Sequence, residues 1–209
     1  MTKDKCYDWQ HLIETYKSIV NPEMSVVEVG SSNVERTIEL ARYCKRLIGV
    51  EKSLERIPAD SKFFNYNISI VNGDWHDLSK VVFPNSIDIV VASHVIEHVK
   101  DDIRCLDEAF KVLKRGGYLL FNTPNRKRLT RSIIELFTGE RIFPYWEHMR
   151  EYDRLDLEKL VASSRFSESK AKITGIVFGI HGMGIRLFIK KVPVFLGKFS
   201  NFWEVLIQK

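Results

Sequence analysis

In the first part of the chain, short continuous apolar runs alternate with segments in which apolar residues recur at helical spacing. Short apolar runs rich in β-branched residues, typical of buried parallel strands, lie at residues 25–29, 46–50, 69–72, 87–93 and 113–122. Between most of them, apolar residues recur every three or four positions, as in amphipathic helices. This alternation predicts an α/β fold with a doubly wound, mostly parallel sheet and helices on both faces.

Two predicted helices have clear apolar stripes. The stripe of residues 7–19 is formed by Trp9, Leu12, Ile13, Tyr16 and Ile19. The stripe of residues 101–113 is formed by Ile103, Leu106, Phe110 and Leu113. Gly116-Gly117 is expected to end the second helix, and we expect the first helix to cap a ligand site.

The pattern changes after Pro124. Residues 125–152 begin with four basic side chains, contain an apolar stripe and end in an aromatic cluster, and they are too long for a plain loop, so we predict an inserted lid. The stripe consists of Leu129, Ile133, Leu136 and Phe137, and the aromatic cluster of Phe143, Tyr145 and Trp146. Beyond the lid we predict a helix at 154–164 and strands at 169–178 and 202–207. The conformation of residues 182–199 stays open.

The composition favours a single globular domain. The 209 residues are 44% hydrophobic and 28% charged, which suits one well-packed core over residues 1–209, with residues 1–22 as a capping helix. The chain has neither a secretory leader pattern nor a run of about 18 apolar residues, so we expect a cytoplasmic protein. The three cysteines are widely spaced and are expected to be reduced.

The formal net charge is +5, which modestly favours anionic partners. The basic residues at the start of the lid are Arg126, Lys127, Arg128 and Arg131. They either attract an anionic substrate or membrane surface, or form a solvated helix start. No module typical of nucleic-acid binding is evident.

Residues 25–33 carry the clearest chemical signal. A buried strand ends in Glu28-Val-Gly30, and helical spacing begins at Val34. Gly30 permits a sharp turn, and the free N–H groups of a helix amino terminus bind a carboxylate or phosphate. This segment therefore predicts a nucleotide-type cofactor site.

Acids follow the next two strands. Glu51 ends the second strand, where a carboxylate can accept both hydroxyls of a ribose. Gly73-Asp74-Trp75 follows the third, with a carboxylate for an adenine amino group and an indole to cover the ring. Together these residues predict an adenosine site.

In this order the features resemble those of class I S-adenosylmethionine-dependent methyltransferases, in particular the small-molecule methylases that include ubiquinone-pathway enzymes. The family's sequence of motifs recurs over residues 25–125 as Glu28-Val-Gly30, Glu51, Gly73-Asp74 and the segment from Asp88 through Asp101, which contains Glu97-His98-Val99. The resemblance implies a Rossmann-like sheet of seven strands, with the lid after the fifth, and S-adenosylmethionine as cofactor. The cofactor-binding residues that it implies are Glu28, Gly30, Ser31, Ser32, Glu51, Lys52, Asp74, Trp75, Ser93 and His94.

The chain departs from the family in its first loop. Ser32 and Val34 stand where glycines are usual, and valine disfavours a positive φ. This departure leaves open an alternative function, a cofactor-binding scaffold or regulatory subunit without turnover.

Histidines are the candidate catalytic groups. Methyl transfer depends mainly on alignment, but a hydroxyl acceptor also needs a base that titrates near neutral pH. His98 and His148 are the predicted catalytic residues, and His94 is expected at the floor of the cofactor pocket. We expect a small-molecule or lipid-linked acceptor, methylated at oxygen.

His94-Val-Ile-Glu-His98 also fits a zinc-peptidase pattern, with two histidine ligands and a glutamate base. That pattern needs one helix through both histidines, whereas His94 directly follows a predicted strand. A zinc hydrolase is therefore the third alternative, and we expect no bound metal.

Overall fold

The computed structural model describes residues 7–57, 59, 63, 65–139, 147–182, 185–189 and 192–209. The helices are α1 (Tyr7–Ile19), α2 (Val34–Ala41), α3 (Asp102–Val112), α4 (Leu129–Thr138) and α5 (Arg154–Ser163). The strands are β1 (Ser25–Val29), β2 (Arg46–Glu51), β3 (Ile68–Asn72), β4 (Ile87–Ser93), β5 (Leu113–Pro124), β6 (Lys170–Ile176), β7 (Phe178–Gly182), β8 (Ile185–Ile189) and β9 (Phe202–Gln208).

The main sheet has seven strands in the order β3-β2-β1-β4-β5-β9-β6. β9 is antiparallel to both of its neighbours, and the pairs among the first five strands are parallel. The predicted mostly parallel sheet of seven strands is confirmed. The strand order reverses between β1 and β4, and ligands of open α/β sheets bind at such a reversal, beyond the carboxyl ends of the strands.

Two hydrophobic layers cover the sheet. Side chains alternate along β1, so that Val27 and Val29 pack with α3 and α5 while Val26 packs with α1 and α2. This is the arrangement expected when every residue of a parallel strand is buried, and all five residues of β1 are.

The apolar stripe of α1 is largely buried as predicted, and in the stripe predicted for residues 101–113 Leu106 and Leu113 are buried whereas Ile103 is not. Ile103 is 39% exposed, and the buried apolar face of α3 consists of Cys105, Leu106, Ala109 and Val112. The small Cys105 and Ala109 side chains face the sheet, and they carry too little hydrophobic signal to dominate a sequence pattern.

The paired glycines Gly116 and Gly117 do not end α3, because β5 starts at Leu113, directly after the helix. Gly116 has a φ of +79°, and a Cβ on Gly117 would lie 2.8 Å from the carbonyl oxygen of Asp88. The glycines therefore allow an irregular, bulge-like conformation inside β5, at the point where the register between β5 and β4 shifts.

Residues 169–178 do not form one strand, because Val177, with a φ of +55°, separates β6 from β7. The open region 182–199 contains β8, which pairs with β7 in a separate hairpin, and a 3₁₀ turn at Val194–Phe199. The other predicted elements agree to within a few residues at their ends.

The predicted lid leaves and rejoins the sheet at one place. Asn125 and Tyr152 form a β-bridge, and the N–H of Arg126 donates to the carbonyl of Tyr152 at 2.9 Å. α4 lies inside the segment, but Leu136 and Phe137 of its stripe are 81% and 84% exposed. The aromatic cluster at 143–146 lies outside the described residues. Within the part of the chain that the structure describes, no helix has the length and apolar character needed to cross a membrane.

Candidate functional site

A cleft of about 930 Å³ opens at the carboxyl ends of β1 to β4. Nine of the ten residues predicted to bind the cofactor line it: Glu28, Gly30, Ser32, Glu51, Lys52, Asp74, Trp75, Ser93 and His94. The tenth, Ser31, is fully buried, and its Oγ has no hydrogen-bond partner among the described residues. The sequence pattern did not reveal that the side chain of Ser31, unlike that of Ser32, does not line the cleft.

The first loop requires its one glycine. Gly30 has a φ of +78°, and a Cβ there would lie 2.7 Å from Cγ2 of Val95. Asn33 caps α2 by accepting from the N–H of Arg36 at 3.2 Å, and Val34 is the first helical residue. Because Val34 has a helical conformation, its stiff side chain does not obstruct the turn.

Glu28 supports this loop from below. Its carboxylate is buried, and Oε2 accepts a 2.6 Å hydrogen bond from Oγ1 of Thr37 in α2. Burial raises the pKa of Glu28 to about 7, against the opposing effect of the Thr37 hydrogen bond. At neutral pH, Glu28 is therefore held between its protonated and ionised forms.

Glu51 ends β2 at the wall of the cleft. Its Oε1 accepts from the N–H of Ser53 at 3.0 Å, and its carbonyl accepts from Nδ2 of Asn72 at 3.0 Å. The first bond orients the carboxylate and the second holds the backbone, at the strand end where a ribose acid was predicted.

Asp74 lies opposite, after β3. Partial burial would raise the pKa of Asp74, but Lys52 and the N–H groups of His76 lower it to about 2. The Nζ of Lys52 lies 2.8 Å from Oδ2 of Asp74, and Nδ1 of His76 lies 2.7 Å from Oδ1. The carboxylate is thus ionised and already engaged on both oxygens.

Trp75 departs from its predicted role. Its side chain belongs to the hydrophobic core and is 2% exposed, so it has no open face on which a ring could stack. Trp75 supports the wall of the cleft, and the prediction that its indole covers an adenine is wrong for this conformation.

His94 lies directly after β4, with a φ of +54°. Its Nε2 lies 2.7 Å from Oδ2 of Asp8 in α1, and its Nδ1 lies 3.0 Å from Oε1 of Glu97. Burial would lower the pKa of His94, but the hydrogen bonds to these two carboxylates raise it to about 9. His94 is therefore an imidazolium that ties α1 to the edge of the cleft.

A second cavity, of about 650 Å³, adjoins the cleft. Both spaces are lined by His94, His98 and Glu147. The second is further lined by Glu97, Arg128, His148 and Phe202, among others. The rings of His98 and His148 meet edge to face, with centroids 4.8 Å apart. The structure thus brings together the two histidines that were predicted to be catalytic.

Backbone hydrogen bonds hold the two histidines together. The N–H of Met149 donates to the carbonyl of Glu97 at 2.9 Å, and Nδ1 of His98 donates to the carbonyl of Glu147 at 3.1 Å. Glu97 itself is fully buried. Sequence reasoning named Glu97 in a family motif and as a zinc-peptidase base but gave it no contact with His94, and it missed Asp8 altogether.

The zinc-peptidase pattern does not form. His94 lies in a turn and His98 in the 3₁₀ turn Ile96–His98, so no helix runs through both histidines. Possible ligand atoms of Glu97, His98 and His148 instead lie within 4.8 Å of one another. This trio differs from the one in the sequence pattern, because His148 comes from the far end of the lid.

The basic residues at the start of the lid are all ion-paired. Lys127 pairs with Asp153, and Arg126 pairs with Glu135. Arg128 and Arg131 both pair with Glu151, whose carboxylate is buried. Of the two alternatives for this segment, a solvated helix start is therefore wrong for Arg128 and Arg131, which are almost buried and hold α4 against the end of the lid.

Comparisons with known proteins agree with this geometry. A family model described as a methyltransferase domain matches residues 27–121. A probable S-adenosylmethionine-dependent methyltransferase of Mycolicibacterium smegmatis is 28% identical over 163 residues, which cover 77% of this chain and 56% of that protein. The chain thus spans little more than half the length of this relative.

Solved structures share the fold. A possible histamine N-methyltransferase from Thermotoga maritima has a TM-score of 0.65 at 20% identity, covering 96% of this chain and 89% of its own. The N-methyltransferase NodS from Bradyrhizobium japonicum, solved with S-adenosyl-L-homocysteine, has a TM-score of 0.65 at 16% identity, covering 99% and 89%. In the family match over residues 27–121, the strand order and the acids at the strand ends, the chain is similar to the class I S-adenosylmethionine-dependent methyltransferases.

Proposed function

We propose that this protein transfers a methyl group from S-adenosylmethionine to an oxygen of a small-molecule or lipid-linked acceptor. The observation that carries the proposal is the junction of the two cavities at His94, His98 and Glu147. A methyl donor in one space and an acceptor in the other would meet there, and alignment is the main requirement of such a displacement.

The cleft fits the cofactor in size and chemistry. Gly30 lets the chain approach the methionine end, and the fixed carboxylate of Glu51 accepts from the ribose hydroxyls. The buried Oγ of Ser93 lacks a partner among the described residues and lines the same cleft, so it offers a further polar contact. Asp74 is proposed to accept from the adenine amino group in place of Lys52 or His76.

When bound, S-adenosylmethionine supplies a methyl carbon on a sulfonium, whose carbon–sulfur bond breaks with its electron pair going to sulfur as the acceptor oxygen bonds to carbon. The protein's part is to orient the acceptor and take its proton. His98 lines both spaces, and its Nδ1–H is held by Glu147, which leaves Nε2 as the basic atom. His148, in edge contact with it, helps to hold the acceptor.

The lid, residues 125–152, is proposed to cover the acceptor. Its two ends are joined by the Asn125–Tyr152 bridge, and its residues Arg128, Thr130, Glu147 and His148 line the second cavity. Closure over this space would exclude water from the transfer. Because Arg128 is among the residues that line the cavity, and Arg131 shares with it the single carboxylate of Glu151, the acceptor is proposed to be anionic.

Calorimetric titration with S-adenosylmethionine and S-adenosyl-L-homocysteine tests the cofactor step, with one site per chain expected. A screen of hydroxylated acceptors with radiolabelled cofactor then tests turnover. Failure of the folded protein to bind either compound would overturn the proposal. Binding without transfer to any hydroxyl would favour the scaffold alternative, and transfer only to amines would correct the methylated atom.

A further inference from the structure

We infer that Glu97, His98 and His148 form a site for a divalent transition-metal ion at the junction of the two cavities. The carboxylate of Glu97 and one ring nitrogen from each histidine lie within 4.8 Å of one another. Small side-chain movements would bring these three ligand atoms to the metal–ligand distances of about 2.0 to 2.2 Å that zinc sites have. This inference departs from the expectation, made from the sequence, that no metal binds.

Each of the three side chains is held from behind. Nδ1 of His98 donates to the carbonyl of Glu147, which directs Nε2 away from that carbonyl. Nδ1 of His148 lies 3.2 Å from Oε1 of Glu151, the carboxylate–histidine arrangement typical of metal ligands. The oxygens of Glu97 accept from Nδ1 of His94 and from Oγ1 of Thr123 at 3.0 and 3.1 Å.

The backbone also fixes the trio. Glu97 and His98 share one 3₁₀ turn, and the hydrogen bond from Met149 N–H to the carbonyl of Glu97 keeps His148 beside them. Preorganised ligands on two segments lose little freedom on binding an ion, which favours affinity.

The ligand set indicates the kind of ion. Two imidazoles and one carboxylate suit Zn²⁺ and similar borderline ions better than Mg²⁺, which prefers oxygen ligands and keeps its waters. Three protein ligands leave a position open, as in catalytic rather than structural zinc sites. The open position would face the cavities that these residues line.

The role of the ion in methyl transfer rests on the proposed function, whereas the inference that the ion binds does not depend on that function. An acceptor hydroxyl bound to the ion would have a lowered pKa and would lose its proton to bulk water at neutral pH. In the metal-bound protein His98 and His148 would act as ligands, so the role of His98 as the base, given under the proposed function, would apply only to the metal-free protein.

The test uses the full chain, freed of metal with a chelator and dialysed against Zn²⁺ or Mg²⁺, with metal content measured by mass spectrometry. We expect about one Zn²⁺ per chain and no stoichiometric Mg²⁺. His98 is exposed, so His98→Asn should keep the fold while weakening Zn²⁺ binding at least about tenfold. His11→Asn, which lies in α1 outside the trio, is the matched control and should bind Zn²⁺ like the wild type.

Loading the protein with Co²⁺ in place of Zn²⁺ gives a second readout, because the visible absorption of Co²⁺ depends directly on its ligands. The absorption of the bound ion should be lost in His98→Asn and in His148→Asn. Zinc content well below one ion per chain, or unchanged Zn²⁺ affinity in folded His98→Asn, would overturn the inference. Titration of S-adenosyl-L-homocysteine into the same samples separates the two proposals: intact binding of this ligand without Zn²⁺ uptake removes only the metal site.

Discussion

Oδ2 of Asp8 lies 2.7 Å from Nε2 of His94, which ties the first turn of α1 to the turn that follows β4. His94 also contacts Glu97, and it lines both cavities. The N-terminal helix is thereby connected through one imidazolium to the carboxylate at the centre of the proposed acceptor site. The capping of the cofactor by α1 stays a prediction.

Asp8→Asn should lower the pKa of His94 from about 9 towards 6.5. The folded pKa is raised, so the stabilisation by this pair is full below the unfolded value of 6.5 and is lost as the pH rises through about 9. The stability difference between wild type and variant should therefore be largest below pH 6.5 and narrow towards pH 9. NMR titration of His94 and urea unfolding at several pH values measure both effects. Glu14→Gln, at an exposed position of α1, is the control, and an unchanged pKa of His94 in Asp8→Asn would contradict the argument.

Glu28→Gln should stabilise the protein at neutral and alkaline pH. The folded pKa is raised from 4.5 to about 7, so the cost of ionising the buried carboxylate is absent below 4.5 and complete above 7. Glutamine can still accept from Thr37 without that cost. At about 1.4 kcal/mol per pKa unit we expect a gain of about 3 kcal/mol above pH 7 and almost none near pH 4, measured by urea unfolding. A gain that does not depend on pH would refute this explanation, and Glu35→Gln, at an exposed position of α2, should show no such gain.

Glu51→Gln should weaken binding of S-adenosyl-L-homocysteine at least about tenfold, because it removes charge-assisted hydrogen bonds worth about 1.5 to 3 kcal/mol each. Glu55→Gln, four positions along and exposed, should bind like the wild type. Calorimetry measures both affinities, and circular dichroism checks the fold. Equal affinities of the two folded variants would exclude Glu51 from the cofactor site.

Glu151→Gln should be strongly destabilising, because Arg128 and Arg131 would lose the buried carboxylate that they share. Removing one member of such a buried cluster costs about 3 to 5 kcal/mol, which urea unfolding would detect. Glu158→Gln breaks an exposed pair with Arg154 in α5 and should cost about 0.5 kcal/mol or less. If both variants lost the same small amount, the lid arginines would have no role in holding α4.

The order of the elements and the acids at the strand ends followed from the sequence. Parallel strands are buried on both faces, so residues such as Val26, Val27 and Val29 form runs that stand out from helical spacing. A glycine with positive φ is needed at one turn, and Gly30 marked it. Because carboxyl ends of neighbouring parallel strands share an edge, Glu51 and Asp74 were placed together without knowledge of the contacts.

Side-chain direction and long-range partners were decided only by the tertiary structure. No periodicity shows that Ser31 turns inward, that Trp75 joins the core, or that Gly116 lies within a strand, because each depends on what packs against it. Asp8 and His94, or His98 and His148, are far apart in sequence and meet only once α1 and the lid return to the carboxyl edge of the sheet. The sequence by itself therefore determined the order of the strands and the acids at their carboxyl ends, and the folding of the lid and α1 around β4 determined the second cavity and the charges that line it.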